Sequence, residues 1–106
     1  MTKNSVAADN DLLRSTMIRT PRLKVLMTQG VHTSPHREAI ITAVREYNDF
    51  NPDNDPYGEH DFGKFIVEGV PYFFKFDYYD AEYKYGSDPK EGPVNRVLTI
   101  MRADEY

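Results

Sequence analysis

The chain has 106 residues, a formal net charge of -4, no cysteine and 13% aromatic residues. This length suits one small domain, and the lack of cysteine excludes a disulfide framework. A chain of this length can bury one core, but it is too short for a large enzyme with a deep cleft. No apolar stretch approaches the roughly 20 residues of a membrane span, and no apolar run follows Lys3. We therefore expect a cytoplasmic protein without a membrane segment or a secretory signal.

Charge and aromatic residues divide along the chain. Residues 1–48 carry seven Lys or Arg against four acids, and residues 49–106 carry six against thirteen. All six Phe and all eight Tyr lie at or beyond Tyr47. Because buried aromatic rings stabilise a fold, the acidic part is expected to fold and to present an acidic surface.

The first half of the chain predicts two helices and one strand. Residues 1–4 are polar and expected to fray, and a weakly amphipathic helix is predicted over about 5–17. A period-two strand follows at 23–27, and Gln29-Gly30 is expected to break it. The second helix is predicted from Pro35 to about residue 48, with Ser34 as its N-cap; its apolar stripe is formed by Ile40, Ile41, Val44 and Tyr47.

The second half predicts a loop followed by three strands. Residues 51–61 are dense in turn-forming residues, and the β-rich runs 62–68 and 72–79 form a predicted hairpin. A long connection over 80–93 leads to a last strand at about 95–102. Residues 5–106 are therefore predicted to form a single α+β domain, with a four-stranded, mainly antiparallel sheet and two helices on one face.

Several segments together resemble a known family. They are Asn51 to Gly63 (NPDNDPYGEHDFG), Asp77-Tyr78-Tyr79-Asp80, Tyr85-Gly86-Ser87, Arg96-Val97-Leu98-Thr99-Ile100-Met101 and Glu105-Tyr106. The chain, from about Leu12 onward, resembles the domain-of-unknown-function family numbered thirty-seven sixty-eight, found in small proteins of alphaproteobacteria and their mobile elements. The resemblance implies one intact domain and no assigned activity. A mobile-element setting favours a defence or counter-defence role by analogy.

The acidic loop is the first candidate for chemistry. Asp53, Asp55 and Gly58 match positions 1, 3 and 6 of a calcium loop of the EF-hand type. Tyr57 at position 5 and Lys64 at position 12 depart from that pattern. Two interpretations stay open: a different divalent-cation site, or Asn and Asp side chains that satisfy the loop's own amides.

Glu59-His60-Asp61 is the second candidate, because an imidazole between carboxylates can act as a general base or a metal ligand. In an extended segment Glu59 and Asp61 share a side that His60 does not. The alternative, which we favour, is that His60 is a buried residue that pins the loop by hydrogen bonds. No nucleophile motif accompanies these residues, so an enzyme is the less favoured class.

Two further groups are weaker candidates. His32 and His36 have helical spacing but flank the start of a helix, so two solvated histidines are expected in preference to a zinc site. The basic residues near the first strand lack interleaved aromatic residues, so direct nucleic-acid binding is not expected. They are Arg14, Arg19, Arg22 and Lys24.

The acidic and tyrosine-bearing surface is the third candidate, because acids steer a protein toward a basic partner and tyrosine anchors interfaces. The predicted partner-binding residues are Asp53, Asp55, Tyr57, Glu59, Asp61, Tyr79, Asp80, Glu82, Tyr83, Tyr85, Asp88 and Glu91. The alternative is that these acids serve solubility and the tyrosines cover the sheet.

These observations predict a small acidic protein-binding domain. Its predicted partner is a protein with a basic surface, such as a nucleic-acid-binding effector complex, which it would inhibit as a phage or plasmid anti-CRISPR or anti-restriction protein. No cofactor is expected under this interpretation. The alternative is a metal-dependent hydrolase or divalent-cation-binding domain that uses Asp53, Asp55, Glu59, His60 and Asp61.

Overall fold

The fold is organised around one four-stranded sheet, which a computed structural model describes together with its helices for residues 5–18 and 20–106. The predicted frayed segment 1–4 and Arg19 of the predicted basic patch lie outside these described residues. The elements are α1 (Ser5–Thr16), β1 (Leu23–Met27), α2 (Gln29–His32), α3 (Arg37–Glu46), β2 (Phe62–Val67), β3 (Val70–Tyr79) and β4 (Asn95–Arg102). Two 3-10 turns cover Pro89–Glu91 and Ala103–Glu105.

The sheet has the strand order β1-β4-β3-β2. Strand β3 pairs antiparallel with both β2 and β4, and β1 pairs parallel with β4. The prediction of an α+β fold with a mainly antiparallel sheet is therefore confirmed. The parallel pair places Leu23 beside Arg96.

The described residues form three α-helices where two were predicted. Strand β1 ends before Gln29-Gly30 as predicted, and these two residues begin the one-turn helix α2, which was not predicted. The reason is a cap from the far end of the sequence: the carboxylate of Glu105 accepts hydrogen bonds from the Gly30 N–H at 2.7 Å and the Thr28 hydroxyl at 2.5 Å. Val31 of α2 is fully buried in the core, which holds the turn in place.

Helix α3 is shorter than predicted at both ends, Arg37–Glu46 against 35–48. The Ser34 hydroxyl accepts a hydrogen bond from the His36 N–H, and the Ser34 carbonyl accepts one from the Arg37 N–H. Ser34 therefore shapes a turn ahead of the helix and does not cap its first turn.

The β2–β3 hairpin closes through two residues, Glu68 and Gly69, which both have positive φ (52° and 78°). This backbone is typical of the type I′ turn, whose twist matches that of the paired strands. Val70 and Pro71, predicted as part of the connection, are the first residues of β3.

The core lies between one face of the sheet and the helices. Alternate residues of β3 (Tyr72, Phe74 and Phe76) are buried against Ile40 and Val44 of α3. Gly63 of β2 pairs with Phe74, and a Cβ at Gly63 would lie against the rings of Phe74 and Tyr47. The end of the acidic loop is therefore fixed against the core by a close approach that only glycine permits.

Candidate functional site

The acidic loop, residues 51–61, holds its own shape through side-chain hydrogen bonds. The Asn51 Oδ1 atom accepts from the N–H groups of Asp53 (2.9 Å) and Asn54 (3.1 Å). The Asp55 Oδ1 atom accepts from the N–H groups of Glu59 and His60, both at 3.2 Å. These contacts confirm the interpretation that Asn and Asp side chains satisfy loop amides.

His60 anchors this loop to α1. Its Nδ1 atom lies 2.9 Å from Asp11 Oδ2 and its Nε2 atom 3.5 Å from Asp55 Oδ2. Its ring stacks on Phe50 with centroids 4.0 Å apart and an interplanar angle of 3°. The backbone of His60 has φ 55°, a conformation that costs energy for a residue with a side chain. The predicted hydrogen bonds by which His60 pins the loop are present, but its side chain is 29% exposed and only partly buried, where a buried residue was predicted.

Glu59 and Asp61 lie on the other side of the loop, as predicted, and their carboxyl groups are close enough to affect each other's pKa. Burial raises the pKa of both carboxyls, and the negative charge of Asp61 raises that of Glu59 further. The Tyr78 hydroxyl donates to Asp61 Oδ2 at 3.3 Å, and Lys90 Nζ lies 3.7 Å from Glu59 Oε2. A close carboxyl pair of this kind favours a shared proton.

This carboxyl pair predicts a pH-dependent stability. Since the folded pKa values of Glu59 and Asp61 lie above 4.5 and 3.8, the folded state binds more protons than the unfolded state. The stability contributed is present below those values and is lost as pH rises through the raised pKa values. Asp61→Asn should therefore raise Tm at pH 7 by a few degrees, of the order of half a kcal/mol, with the gain vanishing near pH 4.

Differential scanning calorimetry between pH 4 and 7 measures this gain. Asp53→Asn is the matched control, because the Asp53 side chain is exposed and is expected to shift Tm little at any pH. A gain for Asp61→Asn that is constant with pH would contradict the carboxyl-pair explanation.

Three polar residues connect α1, the loop and the sheet. The fully buried Asn10 donates from Nδ2 to the Glu59 carbonyl at 2.9 Å and to the Tyr78 hydroxyl at 2.8 Å. Its Oδ1 atom accepts from Arg96 Nε at 2.7 Å. The Arg96 guanidinium also lies over the Tyr78 ring, 5.4 Å from its centroid. This network fixes the position of the carboxyl pair. Neither Asn10 nor Arg96 was predicted to belong to the site.

Arg14 of the predicted basic patch is buried, with 3% of its surface exposed. It donates to the carbonyls of Val44 and Tyr47 and to Asp11 Oδ1, so it does not contribute a free cation to the surface. Arg22 and Lys24 of the same patch are exposed, and Lys24 Nζ lies 4.0 Å from the centroid of the Tyr83 ring.

The second acidic segment, residues 80–91, is also ordered by its own side chains. Asp80 Oδ1 accepts from the N–H groups of Lys84 and Glu82, and these hydrogen bonds lower the pKa of Asp80. Asp88 Oδ1 accepts from the Lys90 N–H. The Tyr83 hydroxyl donates to the Pro21 carbonyl, which ties this segment to the start of β1.

The predicted partner-binding residues differ in exposure. Asp53, Tyr57, Glu82, Tyr85, Asp88 and Glu91 are exposed, whereas Asp55, Glu59, Asp61, Tyr79, Asp80 and Tyr83 are partly buried. The Asp55 side chain is only 8% exposed because it faces His60 and the loop amides. The exposed six therefore present most of the side-chain surface of this group to solvent.

The residues of the predicted cation site do not converge. His60 and Asp55 face Asp11 on one side of the loop, and Glu59 and Asp61 face Tyr78 and Lys90 on the other. In the described part of the chain no group of three or more His, Asp or Glu side chains is placed to hold a metal ion. His32 and His36 are both exposed beside the start of α3.

The fold and these contacts define a small α+β domain with an acidic loop clamped to its first helix. A family model described as "Protein of unknown function (DUF3768)" matches residues 22–105, and the chain belongs to this family. The predicted resemblance is thus confirmed, with a match that begins at Arg22. No curated protein and no solved structure matches the chain. Among the described helices none is long and apolar enough to cross a membrane.

Proposed function

We propose that this protein is a small acidic protein-binding domain that acts in the cytoplasm on a partner with a basic surface. The proposed partner is a host nucleic-acid-binding defence complex, and the proposed role is that of a phage or plasmid anti-CRISPR or anti-restriction inhibitor. The observation that carries the proposal is that the acidic loop and the segment 80–91 meet. Lys90 Nζ lies 3.7 Å from Glu59 Oε2, and the negative charges of Asp61 and Asp88 both raise the pKa of Glu59.

The acidic surface extends beyond the two segments. Helix α1 adds Asp11, whose side chain is 42% exposed. Its carboxylate lies beside the loop, since it contacts His60. Acids from three separate parts of the sequence therefore stand close together, as electrostatic steering toward a basic partner requires.

Two tyrosines on these segments are suited to anchor an interface. Tyr57 is 81% exposed and Tyr85 is 67% exposed. A tyrosine ring buries a large area at low entropic cost, and its hydroxyl can still form a hydrogen bond. An inhibitor with this surface would act by occupying the basic site where the partner binds nucleic acid, so none of its residues need be catalytic.

Charge reversal tests the proposal. Asp53, Glu82 and Glu91 are exposed, and their side chains accept no hydrogen bond from any described residue, so Asp53→Lys, Glu82→Lys and Glu91→Lys should preserve the fold. The wild-type protein is expected to raise phage plating on hosts with an active CRISPR–Cas or restriction system. The triple variant should lose this protection and bind the purified effector complex at least about tenfold more weakly.

The matched control reverses the same number of charges elsewhere. Glu38, Glu46 and Glu68 are exposed on α3 and in the hairpin turn. The Glu38→Lys, Glu46→Lys and Glu68→Lys variant should protect phage as the wild type does. Equal loss in both variants would indicate an effect of net charge alone, and no protection by wild type in any such host would refute the inhibitor role.

A further inference from the structure

We propose that the cleft between α1 and residues 89–94 is a binding site for an oxyanion, carboxylate or phosphate, carried on an apolar group. The cleft has a volume of about 500 Å³. Three cationic side chains line it, Arg22, Lys90 and Arg96, against one carboxylate, Asp9. Lys90 of this cleft also lies 3.7 Å from Glu59 of the acidic loop, but the site does not depend on the proposed function.

Arg96 is the residue best placed to bind the oxyanion. Its side chain is 9% exposed, and its orientation is fixed by the hydrogen bond from Nε to Asn10 and by the Tyr78 ring. Its Nη atoms form no hydrogen bond with any residue that the structure describes, and the nearest acid, Asp9, is 3.9 Å from Nη2. A buried guanidinium with unused donors that face a cleft is prepared to bind an oxyanion.

Two exposed cations flank Arg96. The Arg22 carbonyl accepts a hydrogen bond from the Arg96 N–H, so the two arginines share this wall of the cleft. The Arg22 side chain forms no ion pair with a residue of the described ranges. Lys90 lies in the 3-10 turn, where its side chain is 63% exposed and its Nζ atom is 3.7 Å from Glu59 Oε2.

The apolar residues that line the cleft determine which class of ligand fits it. Leu12, Leu13 and Val94 give the cleft apolar walls, and Leu12 is 61% exposed although it is apolar. Ligand sites commonly combine apolar walls with a few polar groups that fix the ligand's orientation. The expected ligand therefore places an aliphatic or aromatic group against these walls and its oxyanion on Arg96, displacing the carboxylate of Asp9.

The experiment is an amide NMR titration of the full chain with benzoate, phenyl phosphate, inorganic phosphate and the neutral analogue benzamide. We expect saturable shifts of amides in residues 9–13 and 89–96 with benzoate or phenyl phosphate, weaker ones with inorganic phosphate and none with benzamide. Binding of benzoate alone would identify a carboxylate ligand, and binding of phenyl phosphate alone a phosphate ligand. Shifts by benzamide equal to those by benzoate, or no saturable shift with either anion, would overturn the proposal.

Three variants in the cleft and one control outside it make the test independent of folding. Arg22→Gln and Lys90→Gln should each weaken binding by about two- to fivefold, as expected for exposed charges. Asp9→Asn should strengthen it, because it removes the carboxylate that competes for Arg96. Lys84→Gln, an exposed lysine outside the cleft, should leave the affinity unchanged. Failure of Asp9→Asn to strengthen binding together with failure of Arg22→Gln to weaken it would also overturn the site.

Discussion

Replacing Arg14 with alanine is expected to lower the free energy of unfolding by about 3–5 kcal/mol. Arg14 is 3% exposed and donates from Nη1 to the carbonyls of Val44 (2.8 Å) and Tyr47 (2.7 Å) at the end of α3. A cation there satisfies the Tyr47 carbonyl, adds a shorter hydrogen bond to the Val44 carbonyl, which also accepts from the Tyr47 N–H at 3.4 Å, and interacts favourably with the helix dipole. Alanine would leave both carbonyls and Asp11 without this partner, and urea unfolding measures the loss.

The stability lost in Arg14→Ala should depend on the burial of Arg14 and not merely on the link that it forms between α1 and α3. Arg45 makes a similar link, because its Nε atom donates to the Ser15 carbonyl at 2.8 Å, but Arg45 is exposed. Arg45→Ala should therefore cost less than about 1 kcal/mol. Equal losses in the two variants would show that Arg14 contributes no more than a surface contact does.

Arg14 also shows why the site was only partly predictable. The residues Val6, Asn10 and Arg14 recur every four positions and form the buried stripe of α1, whereas Leu12 is 61% exposed. A search for apolar spacing overlooks a buried stripe whose members are polar. The partners of Asn10 and the two carbonyls that Arg14 binds lie at least thirty residues away along the chain, so no local pattern indicates that these polar groups are buried and satisfied.

The strands were predicted well because their signals are local. In β3 the alternation of Tyr72, Phe74 and Phe76 with partly exposed residues reflects one buried face, and turn residues bound the strand on either side. The parallel pairing of β1 with β4 joins Leu23 to Arg96 and depends on contacts between the two ends of the chain. Helix α2 was not predicted for the same reason, because the residue that caps it, Glu105, lies at the other end of the chain.

The division of charge along the sequence does not correspond to a division in space. Asp11 belongs to the basic half of the sequence but contacts His60 of the acidic loop. Lys90 and Arg96 belong to the acidic half but line the cleft together with Arg22. Folding thus places an anionic surface beside a cationic cleft, and the net charge of -4 describes neither of them.

The second large effect is expected from Asn10→Leu, which should lower the free energy of unfolding by about 3 kcal/mol or more. Leucine has a similar size, but it would leave the Glu59 carbonyl and Arg96 Nε without the hydrogen bonds that they have now, at 2.9 and 2.7 Å. The Tyr78 hydroxyl would keep only its longer contact with Asp61. Urea unfolding gives the loss, and hydrogen exchange should show faster opening of amides in residues 59–61.

The matched control is Asn48→Leu, an exposed position after α3 where the change should stay within about 0.5 kcal/mol. Buried polar groups can sometimes be replaced by apolar ones without loss, but only when every partner is replaced together. In Asn10→Leu the partners remain buried and unpaired, so stability should fall. If this variant unfolds at the same urea concentration as the wild type, the Asn10 network contributes no net stability, and the contact of His60 with Asp11 holds the loop to α1.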